Sequence, residues 1–197
     1  MALAVGAGLP APLLPLQILF LNLVTDVFPA FALGLGQGDG QEMTRPPREP
    51  SEPIVGRKEW TRIAVLGGLL TVATLLAFAI ALFWLELAAP EAVTVSFLTL
   101  ALAQLWNVFN VRDRGTGMLR NDVTRNPSVW GALALCLMLI GLALWLPALS
   151  EILRLPTPGT SGLLFALLMS FLPLVLGQAF AGGRVGPREA APLRSPA

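Results

Sequence analysis

The chain has 197 residues, 55% of them hydrophobic and only 13% charged, with a formal net charge of +1. Its mean hydropathy is +0.72. A water-soluble domain of this length needs a larger polar coat, so the composition points to an integral membrane protein. With no histidine and a single cysteine, Cys136, an internal disulfide and a Cys/His zinc cluster are excluded. A lone cysteine inside an apolar stretch reads as a small packing residue.

The N-terminus has no basic segment ahead of an apolar stretch and does not resemble a signal peptide. A membrane-spanning helix needs about 20 mostly apolar residues, because the hydrocarbon core is about 30 Å thick. Five stretches meet or approach that length: Leu13 to Leu35, Ile63 to Leu85, Val93 to Val111, Val129 to Leu149 and Leu163 to Ala181. The second carries no charge, the third carries amides, and the fifth contains Pro173. Buried helices of a large soluble core are the competing reading, and stretches this long with so few charges argue against it. The expected fold class is therefore all-α, a multi-spanning membrane helix bundle.

The connections set the expected orientation. Residues 36–62 carry Arg45, Arg48, Arg57, Lys58 and Arg62. The loop between the third and fourth spans carries Arg112, Arg114, Arg120 and Arg125, and the tail carries Arg184, Arg188 and Arg194. The remaining basic residue, Arg154, lies in the loop between spans four and five. Alternate loops are thus basic and nearly neutral, which is the positive-inside pattern. It places the two basic loops and the C-terminus in the cytoplasm and the N-terminus outside. An odd number of spans with an outside N-terminus suggests a preceding span that is missing, or a short uncharged head pushed across the membrane. Residues 182–197, rich in Gly, Pro, Ala and Arg, are expected to form a disordered cytoplasmic tail.

Polar side chains at membrane depth are costly and each requires a reason. Asn22, Thr25 and Asp26 lie on nearly one helix face, and Asp26 is the only acid inside any span. A carboxylate, an amide carbonyl and a hydroxyl are hard oxygen ligands suited to calcium or a similar cation. Pro29 cannot donate to the carbonyl four residues before it, that of Thr25, and is expected to open the helix beside these groups. The competing reading makes Asn22 and Thr25 helix–helix glue and pairs Asp26 with a base from elsewhere. In the third span, Gln104 and Asn107 share a face, and Asn110 lies further round. Gln104 could add a neutral oxygen to a site; Asn107 and Asn110 read rather as interhelical hydrogen-bonding groups. Gln178 reads as interfacial, and the Gly67-Gly68 pair as a place for close helix packing. The five tryptophans lie mostly towards span ends, as an aromatic belt would place them.

The segment from Pro15 to Gly34, with Asn22-Leu-Val-Thr25-Asp26-Val-Phe-Pro29-Ala at its centre, resembles the sixth transmembrane helix of type II P-type ATPases, especially calcium pumps. Met43-Thr44-Arg45-Pro46-Pro47-Arg48 resembles the element of the cytoplasmic loop that follows that helix in the family. Two ordered motifs at the right spacing make a strong joint signal. The resemblance implies that Met1 to Leu9 is the outer end of the fifth helix, with residues 1–12 forming that end and its turn. It implies that residues 13–181 hold the sixth to tenth helices. It makes Asn22, Thr25 and Asp26 cation ligands, with Gln104 where two-site calcium pumps have a glutamate. That glutamine is more like the single-site pumps.

The resemblance also marks what the chain lacks. It has no Asp-Lys-Thr-Gly-Thr phosphorylation motif, no Thr-Gly-Glu motif, no nucleotide-binding domain and no fourth-helix proline motif. ATP and magnesium would act only in those missing domains. The expectation is the C-terminal membrane portion of an ATP-driven cation pump, calcium being the first choice of transported ion, with no catalysis by this chain alone. Its partners would be the lipid bilayer and the missing N-terminal part of the pump; no nucleic acid is expected. The alternatives are a stand-alone, non-enzymatic subunit of a separately encoded pump half, or a degenerate remnant. A small secondary transporter is disfavoured by the lack of an internal repeat and the single intramembrane acid. Arginine-rich, Ala/Leu/Gly/Pro-rich composition suggests a bacterial source and hence the bacterial plasma membrane.

Overall fold

The computed structural model describes residues 2–6, 8–35, 56–110 and 126–182. Met43 to Arg48, the second basic loop and the tail from residue 183 lie outside the described residues. Among the described residues, all regular structure is helical. A short helix, α1 (Ala2–Gly6), leads by a turn into α2 (Pro15–Leu21). The chain then widens into a π-helical segment, Asn22–Val27, and tightens again as α3 (Phe28–Gly34). The longer helices α4 (Arg57–Phe83) and α5 (Ala89–Asn107) follow, α5 ending in a 3₁₀ turn, Val108–Asn110. Next come α6 (Pro127–Trp145), the short α7 (Pro147–Leu153) and α8 (Gly159–Gly182). Five helical stretches are long and apolar enough to cross a membrane: Pro15–Ala32, Glu59–Phe83, Ala89–Asn110, Pro127–Trp145 and Gly159–Ala179. The protein is an all-α membrane bundle.

Local chemistry explains the boundaries. Pro90 and Pro127 sit in the first turns of α5 and α6, where a missing N–H costs nothing. Glu91 Oε2 accepts from the Ala88 N–H at 3.1 Å, satisfying one of the free donors at the start of α5. Asn126 does the same for α6, its Oδ1 accepting from the Ser128 N–H at 2.9 Å. The fourth apolar stretch runs on to Leu149 in sequence, yet α6 stops at Trp145. Leu146 is extended (φ −81°, ψ 114°) because Pro147 clashes with a helical residue before it. Pro173, by contrast, is accommodated inside α8, which continues past it.

α5 is the centre of the bundle: 67% of its span is buried, against 22–33% for the other four. It packs most extensively on α8 and α4 and also meets α6, while α3 lies against α6. The outward faces remain apolar, with Leu19, Phe31, Phe83, Trp145, Leu168 and Val175 exposed, as lipid-facing side chains would be. Polar ties hold the helices together inside. Trp106 donates its Nε1–H to Ser170 Oγ at 3.1 Å and stacks on Phe171 with ring centres 5.2 Å apart. Gln17 is fully buried: its Oε1 accepts from Leu14 N at 2.9 Å and its Nε2 donates to the Leu153 carbonyl at 3.0 Å. It thereby ties the start of α2 to the end of α7.

The expectation for Gly67-Gly68 is corrected by the packing. A Cβ at either position would meet nothing within 4 Å. The glycine at a close helix approach is Gly177 in α8, where a Cβ would lie 2.7 Å from Asn110 Nδ2 and 3.0 Å from Leu66 Cδ2.

Candidate cation site

The distinctive backbone feature of the first span coincides with its polar residues. Asn22–Val27, which contains Asn22, Thr25 and Asp26, is the π-helical segment. Pro29 opens the helix by widening it rather than by breaking it. In the wider i→i+5 register, the donor due to the Val24 carbonyl would be Pro29, which has no N–H. The buried Cys136 thiol of α6 donates to that carbonyl instead, at 3.0 Å. The lone cysteine thus does more than fill space: it satisfies a backbone group that the proline leaves without a partner.

Thr25 is buried, and its hydroxyl approaches two acceptors. One is the Leu21 carbonyl at 2.8 Å; the other is Gln104 Oε1, across the helix interface in α5, at 2.9 Å. One hydroxyl proton cannot serve both at once. Two neutral oxygens from different helices therefore face each other with lone pairs to spare.

These groups line a cavity of about 320 Å³ formed by Thr25, Asp26, Ala30, Leu70, Gln104, Asn107 and Val108. Three of the four ligands expected from sequence, Thr25, Asp26 and Gln104, come together there. The fourth, Asn22, is exposed and not among the lining residues; it lies about one turn away along the helix. Asp26 is itself exposed at the cavity edge, and no described residue donates a hydrogen bond to its carboxylate. Asn107 is an addition to the expected set. Its position three residues after Gln104, on the same face, is the sequence signal that brings it to the same wall. Among the described residues, no group of three or more His, Cys, Asp or Glu side chains forms a metal cluster. The donor set is one carboxylate with neutral oxygens, all hard ligands.

In this multi-spanning bundle a carboxylate, a hydroxyl and two amides line one cavity beside a widened helix. The chain belongs to the family described as cation-transporting ATPase, C-terminus, whose model matches residues 10–181. It is 38% identical over 178 residues to a calcium-transporting ATPase of Bacillus subtilis, covering 89% of this chain and 20% of that protein. A calcium-transporting ATPase 1 of Lactococcus lactis is 32% identical over 154 residues, covering 78% of this chain and 17% of its own. A calcium-transporting ATPase of Listeria monocytogenes is 31% identical over 145 residues, or 74% and 16% respectively. The chain thus spans about a fifth of the length of the curated relatives it matches.

Proposed function

We propose that this chain is the C-terminal membrane portion of an ATP-driven calcium pump and supplies part of its transport site. The observation that carries the reading is the meeting of Thr25 Oγ1 and Gln104 Oε1 at 2.9 Å on the wall that Asp26 also lines. Oxygens bound to one calcium ion lie 2.3–2.6 Å from it and stand close to one another, so this spacing suits two ligands of one ion. Asp26 supplies the charge that compensates a divalent cation in a low-dielectric setting. Asn22 and Asp26 both face outward from this chain, and helices from outside it would complete the coordination there. Phosphorylation in a domain outside this chain would switch the site between two accessibilities. The difference in cation affinity between those states makes the cycle transport. The alternation of basic and neutral loops and the bacterial relatives support a bacterial plasma membrane, with the C-terminus in the cytoplasm.

The test uses the complete pump, with its phosphorylating region on the same chain or a separate one. Asp26→Asn keeps the shape and removes the charge, and abolishes calcium-dependent phosphorylation from ATP. Calcium dependence like the parent's in that variant sinks the assignment.

A further inference from the structure

Behind the cavity, three amide side chains form a directed row. Gln178 of α8 donates its Nε2 to the Phe109 backbone carbonyl at 3.2 Å and to Asn110 Oδ1 at 2.7 Å. Asn110 Nδ2 in turn donates to Asn107 Oδ1 at 3.1 Å. A backbone carbonyl can only accept, so Phe109 fixes which end of Gln178 faces it. Each later amide is then fixed by the one before. Gln178 offers a second N–H, so Asn110 must turn its oxygen to it. Asn110 then has only its nitrogen for Asn107, and Asn107 must answer with its oxygen. What remains of the Asn107 amide for the cavity is its nitrogen, a donor. The row is also held from outside. Arg62 of α4 donates to the Asn110 backbone carbonyl, and the absence of a side chain at Gly177 lets α8 approach Asn110 closely.

We infer that Asn110 and Gln178 are positioning residues that force Asn107 to present N–H groups, rather than its oxygen, to the cation cavity. Gln104 and Asn107 look interchangeable by residue type, yet they have opposite roles. Gln104 offers an oxygen that a cation attracts, and Asn107 offers hydrogens that a cation repels. The donor face lowers cation affinity on that wall and leaves the ion to the Thr25, Asp26 and Gln104 side. The inference rests on the proposed function, since it needs the cavity to hold the transported ion.

The experiment reverses the row. In Asn110→Asp, one carboxylate oxygen still accepts from Gln178, and the other requires a donor from Asn107. The Asn107 amide turns over and its oxygen enters the cavity. Calcium activation of phosphorylation in the complete pump is measured as a midpoint, which does not depend on how much protein folds. The midpoint falls roughly fivefold, the worth of about one net hydrogen bond. The carboxylate charge that this variant adds could act at a distance, so the same change is made in an Asn107→Leu background, where a polarity effect has no amide to act through. A gain in Asn110→Asp that vanishes in the double variant supports the inference. No gain, or a gain that persists in the double variant, overturns it. Where Asn110→Asp does not accumulate, Gln178→Glu reverses the row from its other end, and the same outcomes apply. Calcium-dependent phosphorylation that survives Asp26→Asn would overturn the proposed function itself. Its loss there, together with no response to Asn110→Asp, would overturn only the polarity of the row.

Discussion

Replacing Gly177 by alanine should destabilise the bundle, although alanine is the better helix former. At a helix interior, glycine to alanine is intrinsically favourable by about 1 kcal/mol. At Gly177 the new methyl would stand 2.7 Å from Asn110 Nδ2, 3.2 Å from Asn110 Cγ and 3.0 Å from Leu66 Cδ2. Leu66 can rotate, but Asn110 is held by Gln178, by Asn107 and through its carbonyl by Arg62. Relief of the clash therefore displaces α8 or breaks one or two hydrogen bonds worth about 1 kcal/mol each. Overpacking of a formed interface adds about 1–3 kcal/mol. The clash outweighs propensity, and the net loss is about 1–4 kcal/mol. Gly67→Ala is the internal control, because its methyl would meet nothing within 4 Å and only the propensity gain remains. Both variants of the purified chain are unfolded by titration with a denaturing detergent in mixed micelles. The midpoint moves down for Gly177→Ala and is level or up for Gly67→Ala. Equal midpoints would refute the claim that α8 is held close to the amide row.

Two further outcomes follow from groups described above. Cys136→Ala leaves the Val24 carbonyl without a donor and lowers unfolding stability by about 1–3 kcal/mol, whereas Cys136→Ser, which keeps a donor, recovers most of it in the same titration. Gln17→Leu, of similar volume, strips partners from both the Leu14 N–H and the Leu153 carbonyl. Hydrogen exchange at Leu14 should quicken by about tenfold or more while exchange in the middle of α5 is unchanged.

The sequence made the bundle legible because the hydrocarbon core imposes a length and penalises charge. It made Thr25, Asp26 and Gln104 conspicuous for the same reason, since each is polar where polarity is costly. Their meeting across the interface between the π-helical segment and α5 depends on how the helices rotate against one another, and a uniformly apolar helix surface carries no periodic signal of that rotation. Gly67 and Gly177 show the same gap. Both are glycines in apolar helices, and only packing distinguishes the one at an interface from the one with open space beside it. The end of α6 was different: the Leu146-Pro147 pair contains the signal, but hydropathy alone carried the fourth stretch past it. The orientation of the Asn107 amide lies furthest from the sequence, being set by a carbonyl two residues on and a glutamine from another helix.

The π segment at Asn22–Val27 leaves the first span with two angular frames instead of one. One surplus residue in a helical run turns everything after it by about 100° relative to an uninterrupted α-helix. α2 and the apolar stripe that α3 lays against α6 are thereby set out of phase, and Asn22, Thr25 and Asp26 occupy the joint between them. A substitution within residues 22–27 leaves that phase difference in place, but deletion of any one of them removes it. The spacing of this short segment is therefore as much a constraint on the site as the identity of its side chains.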